Sequence, residues 1–274
     1  MKNPWLIAFT GIGQTILFLG TFLLVGITLR LLARKILGLS EARWKQVQLE
    51  RFWLINAIFA PVMLVLFAIV IRLLQFTPSQ VGFNFHNWGI SLGIAVPLAL
   101  ALGTPSALVA PTAVKQGLTP MKIPFGRTLV DTIGAIGYAA LLVGPLEEIP
   151  FRGIIQTLLG KDMPQALNIG AFHLSLGVFL SVLIFVFYHI RNVFIGGESM
   201  QQFFRLMPGR TVVSLIIAML FDRTGSLLGP ILFHNIVDTC TITALSVTMY
   251  RMRQRGEMVD EPTSNDGQPA SQVR

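Results

Sequence analysis

The chain has 274 residues, of which 53% are hydrophobic and only 12% are charged. This composition, with a mean hydropathy of +0.67, is too apolar for a water-soluble domain of this length and predicts an integral membrane protein. The formal charge of +8 comes from basic residues that flank apolar runs. That arrangement suits contact with a lipid bilayer and argues against nucleic acid as a partner.

Seven apolar runs are long enough to cross a membrane as helices. They cover roughly residues 5–29, 53–75, 88–110, 128–159, 174–195, 207–222 and 226–249. The first run passes residue 25 without a signal-cleavage pattern, so we expect it to remain as the first span. Because the runs are continuous rather than alternating, helices are favoured over a β-barrel. The sequence therefore predicts an all-α membrane bundle of seven to eight transmembrane helices.

The connections between these runs alternate in charge. The basic residues of the first, third and fifth connections and of the tail include Arg30, Arg34, Lys35, Arg43, Lys45 and Arg51, then Lys115, Lys122 and Arg127, then Arg191 and Arg205, and finally Arg251, Arg253 and Arg255. Alternate connections share one side of the membrane, and the positive-inside rule assigns the basic side to the cytoplasm. Seven spans with an external N-terminus and an internal C-terminus satisfy this pattern.

The fourth run contains two adjacent carboxylates in the segment GPLEEIPFRG, residues 144–153. A charge at the bilayer centre costs at least about 2.5–3.5 kcal/mol, so intramembrane acids are functional candidates. Glu148 and Arg152 are four residues apart and can form an ion pair on one helix face. Glu147 then has no local partner and is the better candidate for a general base. A purely structural ion pair is the alternative interpretation. Pro150 predicts a kink or a restart of the helix beside the pair.

Two histidines occupy later apolar runs. His189 follows Phe185 by four residues, and His234 precedes Asp238 by four, a spacing that can orient an imidazole, bind a metal or line a polar pocket. Counted from the nearest turns, Glu147, His189 and His234 lie about 12–20 Å below the same membrane face. Their similar depth predicts a single site. Charge counting places that face on the non-cytoplasmic side.

The order of these motifs resembles the CPBP or Abi family of CAAX-processing and bacteriocin-immunity type intramembrane glutamic endopeptidases. The similarity rests on EEIPFRG, on FxxxH from Phe185 to His189, and on RTGSLLGPILFHNIVD with HxxxD from His234 to Asp238. It covers roughly residues 128–245. The resemblance implies a prokaryotic cell membrane as the location, residues 128–250 as a catalytic helical core, and residues 1–127 as additional membrane helices and connectors. The remainder, residues 251–274, is polar and is predicted to be disordered.

The resemblance also implies roles for the matching residues. Glu147 and His189 would activate water, and His234 and Asp238 would stabilise the tetrahedral oxyanion. Glu148, Arg152 and Phe185 would support them. The family most often has Asn at the position of Asp238, and Asn can donate a hydrogen bond whereas an ionised Asp cannot. His234 is therefore the safer oxyanion donor.

The sequence thus predicts an intramembrane endopeptidase that hydrolyses a peptide bond near the C-terminus of a membrane-tethered substrate. The resemblance implies a prenylated CAAX-like tail as the substrate type. No cofactor is expected. A zinc-dependent form of the same peptidase is an alternative, because one Glu and two His are plausible zinc ligands, although no HExxH motif is present. A non-catalytic scaffold or bacteriocin-immunity protein and a proton-coupled transporter are the remaining alternatives.

Overall fold

The protein is described from a computed structural model, which covers residues 4–116, 125–169, 172–195 and 198–257. The first helices are α1 (Pro4–Ile36), α2 (Glu41–Glu50), α3 (Phe52–Leu73) and α4 (Trp88–Lys115). The next series is α5 (Leu129–Tyr138), the π-helical segment π1 (Ala139–Val143), α6 (Gly144–Glu148), the π-helical segment π2 (Ile149–Gln156) and α7 (Thr157–Asp162). The chain then forms β1 (Ala166–Ile169), β2 (Phe172–Ser175), α8 (Leu176–Tyr188), α9 (Arg191–Ile195), α10 (Met200–Thr224) and α11 (Leu228–Gln254).

Seven stretches in the described residues are helical, long and apolar enough to cross a membrane. They are Phe9–Ile36, Phe52–Leu73, Trp88–Lys115, Leu129–Asp162, Leu176–Phe194, Met200–Thr224 and Leu228–Gln254. Their order matches the seven predicted runs. The predicted all-α membrane bundle is confirmed, and the chain is an integral membrane protein.

The largest differences from the predicted boundaries lie at helix ends. The α10 helix begins before residue 207 because Ser199 and Gln202 form a reciprocal capping box, and it ends at Gly225 with a positive φ of 63°. The α4 helix continues through Pro111 to Lys115, beyond the predicted run of residues 88–110. The tail that was predicted to be disordered from residue 251 is helical as far as Gln254, where α11 ends. Lys122 and residues 258–274 lie outside the described residues.

The fourth span is one composite helix, Leu129–Asp162, in which α-helical and π-helical turns alternate. The chain remains helical through Pro145 and Pro150, so the predicted restart at Pro150 does not occur. Instead, wider π turns flank the acidic pair on both sides. A π turn inserts an extra residue and is often found at functional sites. It also accommodates the missing N–H of proline without ending the helix.

The main apolar core surrounds π2. Every residue of π2 is buried, and Phe151, Ile154 and Ile155 pack in one cluster with residues of α1, α3 and α8, among them Phe67 and Phe185. A helix buried on all sides cannot rotate without opening its packing. The acidic pair at the junction of α6 and π2 is therefore held at the centre of the bundle.

Two ion pairs fix the start of the composite helix to the preceding α2–α3 segment. Arg51 pairs with Asp131, whose side chain is only 5% exposed, and Arg127 lies 2.6 Å from Glu50. The Thr128 hydroxyl accepts a 3.0 Å hydrogen bond from the Asp131 N–H and caps α5. Asp131 therefore has a structural role at the helix entrance.

Strands β1 and β2 form a short antiparallel hairpin, with Ala166 opposite Ser175 and Leu167 opposite Leu174. The hairpin connects α7 to α8 and was not predicted. The hairpin follows the end of the composite helix that is opposite to Asp131. It reverses the direction of the chain, so that α8 packs along the segment that carries Glu147 and Glu148.

Candidate active site

Glu148 and Arg152 form the predicted ion pair. The Arg152 Nε donates to Glu148 Oε2 at 3.1 Å, and both side chains are fully buried. Arg152 also donates from Nη2 to the Ser214 hydroxyl of α10 at 2.8 Å, and its guanidinium carbon lies 4.9 Å from the ring centroid of Phe185. A buried pair of this kind is costly to break because either partner alone would be an uncompensated charge. The pair connects the composite helix to α8 and α10.

Glu148 has a second partner that the sequence did not predict. Its Oε1 lies 2.5 Å from His234 Nδ1, and because a carboxylate accepts, the Nδ1–H of His234 donates. This bond leaves Nε2 of His234 facing the site, 3.8 Å from Glu147 Oε2 and 3.6 Å from Asp238 Oδ2. Glu148 therefore holds both Arg152 and the imidazole of His234.

His189 is the C-cap residue of α8. Its Nδ1 lies 2.9 Å from the carbonyl oxygen of Phe185, which can only accept, so Nδ1 carries the proton and Nε2 of the neutral ring is an acceptor. The ring of Phe185 packs edge-on against His189 at 4.8 Å and against His234 at 6.2 Å. Phe185 thus orients His189 with its backbone carbonyl and packs its ring against both imidazoles.

Glu147 lies between the two histidines. Its Oε2 is 4.0 Å from His189 Nε2 and 3.8 Å from His234 Nε2, and its other oxygen is 3.6 Å from Arg191 Nη2. These separations are too long for direct hydrogen bonds and suit a bridging water. The side chain is 20% exposed, in contrast to the fully buried Glu148. The adjacent carboxylates therefore have different surroundings, as the sequence predicted.

A close approach of α6 to α11 brings these groups together. The N–H of Gly144 donates to Asn235 Oδ1 at 2.7 Å, and a Cβ at Gly144 would lie 2.6 Å from that oxygen and 2.7 Å from the carbonyl oxygen of Ile231. Only glycine fits this contact. Asn235 was missed in the sequence, where the signal was its position next to His234 within FHNIVD.

A cavity of about 100 Å³ opens beside Glu147. Its walls come from α1, α3, the composite helix and the α8–α9 junction, and include Phe22, Leu29, Arg30, Asn56, Phe59, Tyr138, Tyr188 and Arg191. Arg30, Asn56 and Arg191 lie at the basic ends of their helices. The cavity thus extends from Glu147 toward the basic face, whereas the depth count had placed the site nearer the opposite face. The difference arises because α8 ends at Tyr188, so that His189 lies at its C-terminal end.

Within the described ranges, no group of three or more His, Cys, Asp or Glu side chains has a geometry that could hold a metal ion. The free Nε2 atoms of His189 and His234 and the carboxylate of Glu147 instead surround a space of the size of a water molecule. Arg191, whose charge was predicted to lie in a connection, is 3.6 Å from Glu147, and Arg30 lines the adjoining cavity.

A comparison with known protein families finds a match in the part of the chain that contains the candidate site. A family model described as Rce1-like, type II CAAX prenyl endopeptidase, matches residues 130–240. That range contains the acidic pair, both histidines and Asp238. Neither the curated proteins nor the solved structures contained a match. The match suggests a CAAX-type protease activity within the membrane. Residues 130–240 carry the pattern of the Rce1-like CAAX endopeptidases, and the resemblance to the CPBP and CAAX protease family is confirmed.

Proposed function

We propose that the protein is an intramembrane glutamic endopeptidase in which Glu147 and His189 activate a water molecule. The observation that carries the proposal is the placement of Glu147 Oε2 4.0 Å from the acceptor nitrogen of His189. A water between them can donate one hydrogen to each, which directs its lone pairs outward to a substrate carbonyl. The partial exposure of Glu147 provides a route for that water.

In the proposed reaction, the water adds to the carbonyl carbon of the scissile bond while Glu147 takes its proton. The tetrahedral intermediate bears a negative oxygen, and His234 Nε2 is the donor oriented toward it. Because His234 Nδ1 already donates to Glu148, the ring must carry both protons to donate from Nε2 as well. Transfer of the proton from Glu147 to the leaving amine completes the cleavage.

The proposed substrate is a membrane-tethered peptide cleaved near its C-terminus. The name of the matching family points to prenylated CAAX-type peptides. The cavity beside Glu147 has apolar walls from Phe22, Leu29 and Phe59, which suits the apolar side chains of such a segment. Membrane attachment would deliver the peptide to a site that lies within the bundle.

The test uses the full chain reconstituted in liposomes and a fluorogenic farnesylated peptide. We expect Glu147→Gln and His189→Ala each to lower kcat by about a hundredfold or more, because general-base catalysis contributes about 10²–10⁴. The control is Glu41→Gln, since Glu41 on α2 is 66% exposed and far along the chain from the site. Wild-type turnover in Glu147→Gln would refute the proposed role of Glu147.

A second measurement separates the zinc-dependent alternative from the glutamic mechanism. The purified chain is analysed for bound metal and assayed after treatment with a chelator. We expect cleavage to persist after stoichiometric metal removal. A loss of activity that added zinc restores would assign the catalytic water to a metal instead.

A further inference from the structure

Two arginines line the cavity beside Glu147. Arg30 lies in the C-terminal part of α1, and Arg191 begins α9. The two cationic side chains therefore face one common space. Like charges placed together in a partly buried cavity repel, so this arrangement is unfavourable unless an anion lies between or beside them.

The two arginines differ in their partners. Arg191 donates from Nη1 to the Tyr188 hydroxyl at 2.5 Å, and its Nη2 is 3.6 Å from Glu147. Arg30 forms no ion pair with an Asp or Glu in the part of the chain that the structure describes. Arg34, one turn further along α1, instead pairs with Glu41 at 3.7 Å. Among the described residues, therefore, no carboxylate compensates the charge of Arg30 in this cavity.

The remaining cavity walls are mostly apolar. Phe22, Leu29, Phe59 and Met63 face the same space as Arg30. A site with an apolar body and a cationic end fits a ligand with apolar groups and a terminal anion. A peptide whose last residues are apolar and which ends in an α-carboxylate has this chemistry. The small volume of about 100 Å³ suits a short segment.

We infer that Arg30 binds the C-terminal carboxylate of the peptide substrate and thereby positions the scissile bond at Glu147, while Arg191 remains beside Glu147. Guanidinium groups bind carboxylates with paired, charge-assisted hydrogen bonds. This inference rests on the proposed peptidase function. It explains how a peptidase of this kind would select bonds near a free C-terminus, since each extended residue adds only about 3.3–3.6 Å between the anchored carboxylate and the cleaved bond.

The test compares two farnesylated peptides of identical sequence, in which three apolar residues follow the modified cysteine. One peptide ends in a carboxylate and the other in a carboxamide. Binding is measured by fluorescence anisotropy with full-length Glu147→Gln in nanodiscs, and cleavage is measured with the chain that retains Glu147. We expect the carboxylate peptide to bind about tenfold more tightly. Arg30→Gln should remove this preference by weakening only the carboxylate peptide.

Three variants serve as controls. Arg34→Gln makes the same charge change on the same helix but outside the cavity, and should leave the preference unchanged. Arg30→Lys keeps the positive charge and should retain part of the preference for the carboxylate peptide. Arg191→Gln removes the cation beside position 147 and should leave the preference for the carboxylate peptide in place. Unchanged affinity for the carboxamide peptide shows that each variant is folded.

Each contrary outcome has a separate meaning. Equal binding of the two peptides, or an equal loss of both in Arg30→Gln, would overturn the inference. Preferential binding of phosphatidylglycerol over phosphatidylcholine that depends on Arg30, without discrimination between the peptides, would also overturn it and assign the site to a lipid phosphate. Cleavage that requires Glu147 but ignores the carboxylate refutes the inference alone. Selective binding without cleavage refutes the peptidase function alone.

Discussion

Glu147 and Glu148 are neighbours in the chain, yet their side chains occupy different environments. Glu148 is fully buried and bound to Arg152 and His234, while Glu147 is 20% exposed and faces water-sized gaps. A buried carboxylate with two donors is fixed in place and has little freedom to exchange a proton with a substrate. Glu148 is therefore suited to positioning the other groups, and Glu147 is suited to acting on water.

Asp238 is the residue at which we predict an effect of substitution on the rate of cleavage. Its carboxylate lies 3.6 Å from His234 Nε2 and is 34% exposed. An ionised Asp beside the developing oxyanion would repel it, whereas Asn can donate a hydrogen bond. We expect Asp238→Asn to raise kcat several-fold with little change in KM, as measured with the farnesylated peptide in liposomes. Asp238→Ala removes the repulsion without supplying a donor, so it should raise kcat less than Asp238→Asn does.

The control for this prediction is Asp222→Asn, which makes the same change at an exposed position near the end of α10. Kinetics of this variant should equal those of the unmodified chain. If Asp238→Asn instead lowers kcat tenfold or more, the negative charge of Asp238 is required, and an orienting role for it toward His234 replaces the repulsive one.

At the scale of helices, the composite helix and α11 form the site by close approach. The α6 segment meets α11 where Gly144 donates to Asn235, and π turns on both sides set the direction of the acidic pair. The wider turns change the angle between successive side chains relative to an α-helix. Simple helical spacing therefore predicts the Glu148–Arg152 pair but not the way Glu148 reaches His234.

Gly144→Ala tests this contact between helices. The added methyl would clash with Asn235 and Ile231, and overpacking of this kind costs about 1–3 kcal/mol. We expect a lower free energy of unfolding in mixed micelles, together with a lower kcat, because α6 must move away from His234. Denaturant titration and the peptide assay provide the two measurements.

Gly137→Ala is the matched control because a Cβ at Gly137 meets nothing within 4 Å. Because alanine has a higher helix propensity than glycine, the free energy of unfolding of Gly137→Ala should be unchanged or slightly greater than that of the unmodified chain. Equal stability and activity of Gly144→Ala and Gly137→Ala would show that the close approach at Gly144 is not needed.

At the scale of the whole molecule, the basic ends of the helices and the mouth of the cavity share one side. Arg34 lies at the end of α1, and Arg30, Asn56 and Arg191 line the cavity on that side. At the opposite end, Lys161 lies 5.9 Å from the ring of Phe76 in the connection after α3. The positive-inside rule then predicts that the cavity mouth faces the cytoplasm and that Lys161 lies on the other side of the membrane.

This orientation predicts which introduced cysteines can be labelled. In a Cys240→Ser background, Lys161→Cys should react with a membrane-impermeant maleimide in right-side-out vesicles, and Arg34→Cys should react only in inverted or permeabilised vesicles. Cys240 is the single native cysteine, so the background is simple. The opposite labelling pattern would reverse the assigned orientation and place the cavity mouth outside.

The sequence by itself determined the membrane class, the seven spans and the presence of Glu147, Glu148, His189 and His234 within apolar runs. Apolar length and the cost of buried charge act locally, so they can be read from a single run of residues. The same logic predicts the pairing of Glu148 with Arg152, which depends only on helical spacing.

The tertiary structure alone decided how these residues face one another. The bond from His234 to Glu148 joins positions 86 residues apart, and the sequence carries no local signal for such a contact. Arg30 and Arg191 looked like loop charges because their distance from Glu147 depends on how α1 and α8 pack. The end of α8 at Tyr188, the π turns and the hairpin between α7 and α8 set the side to which the cavity opens. These features arise from packing among distant segments, which local periodicity does not encode.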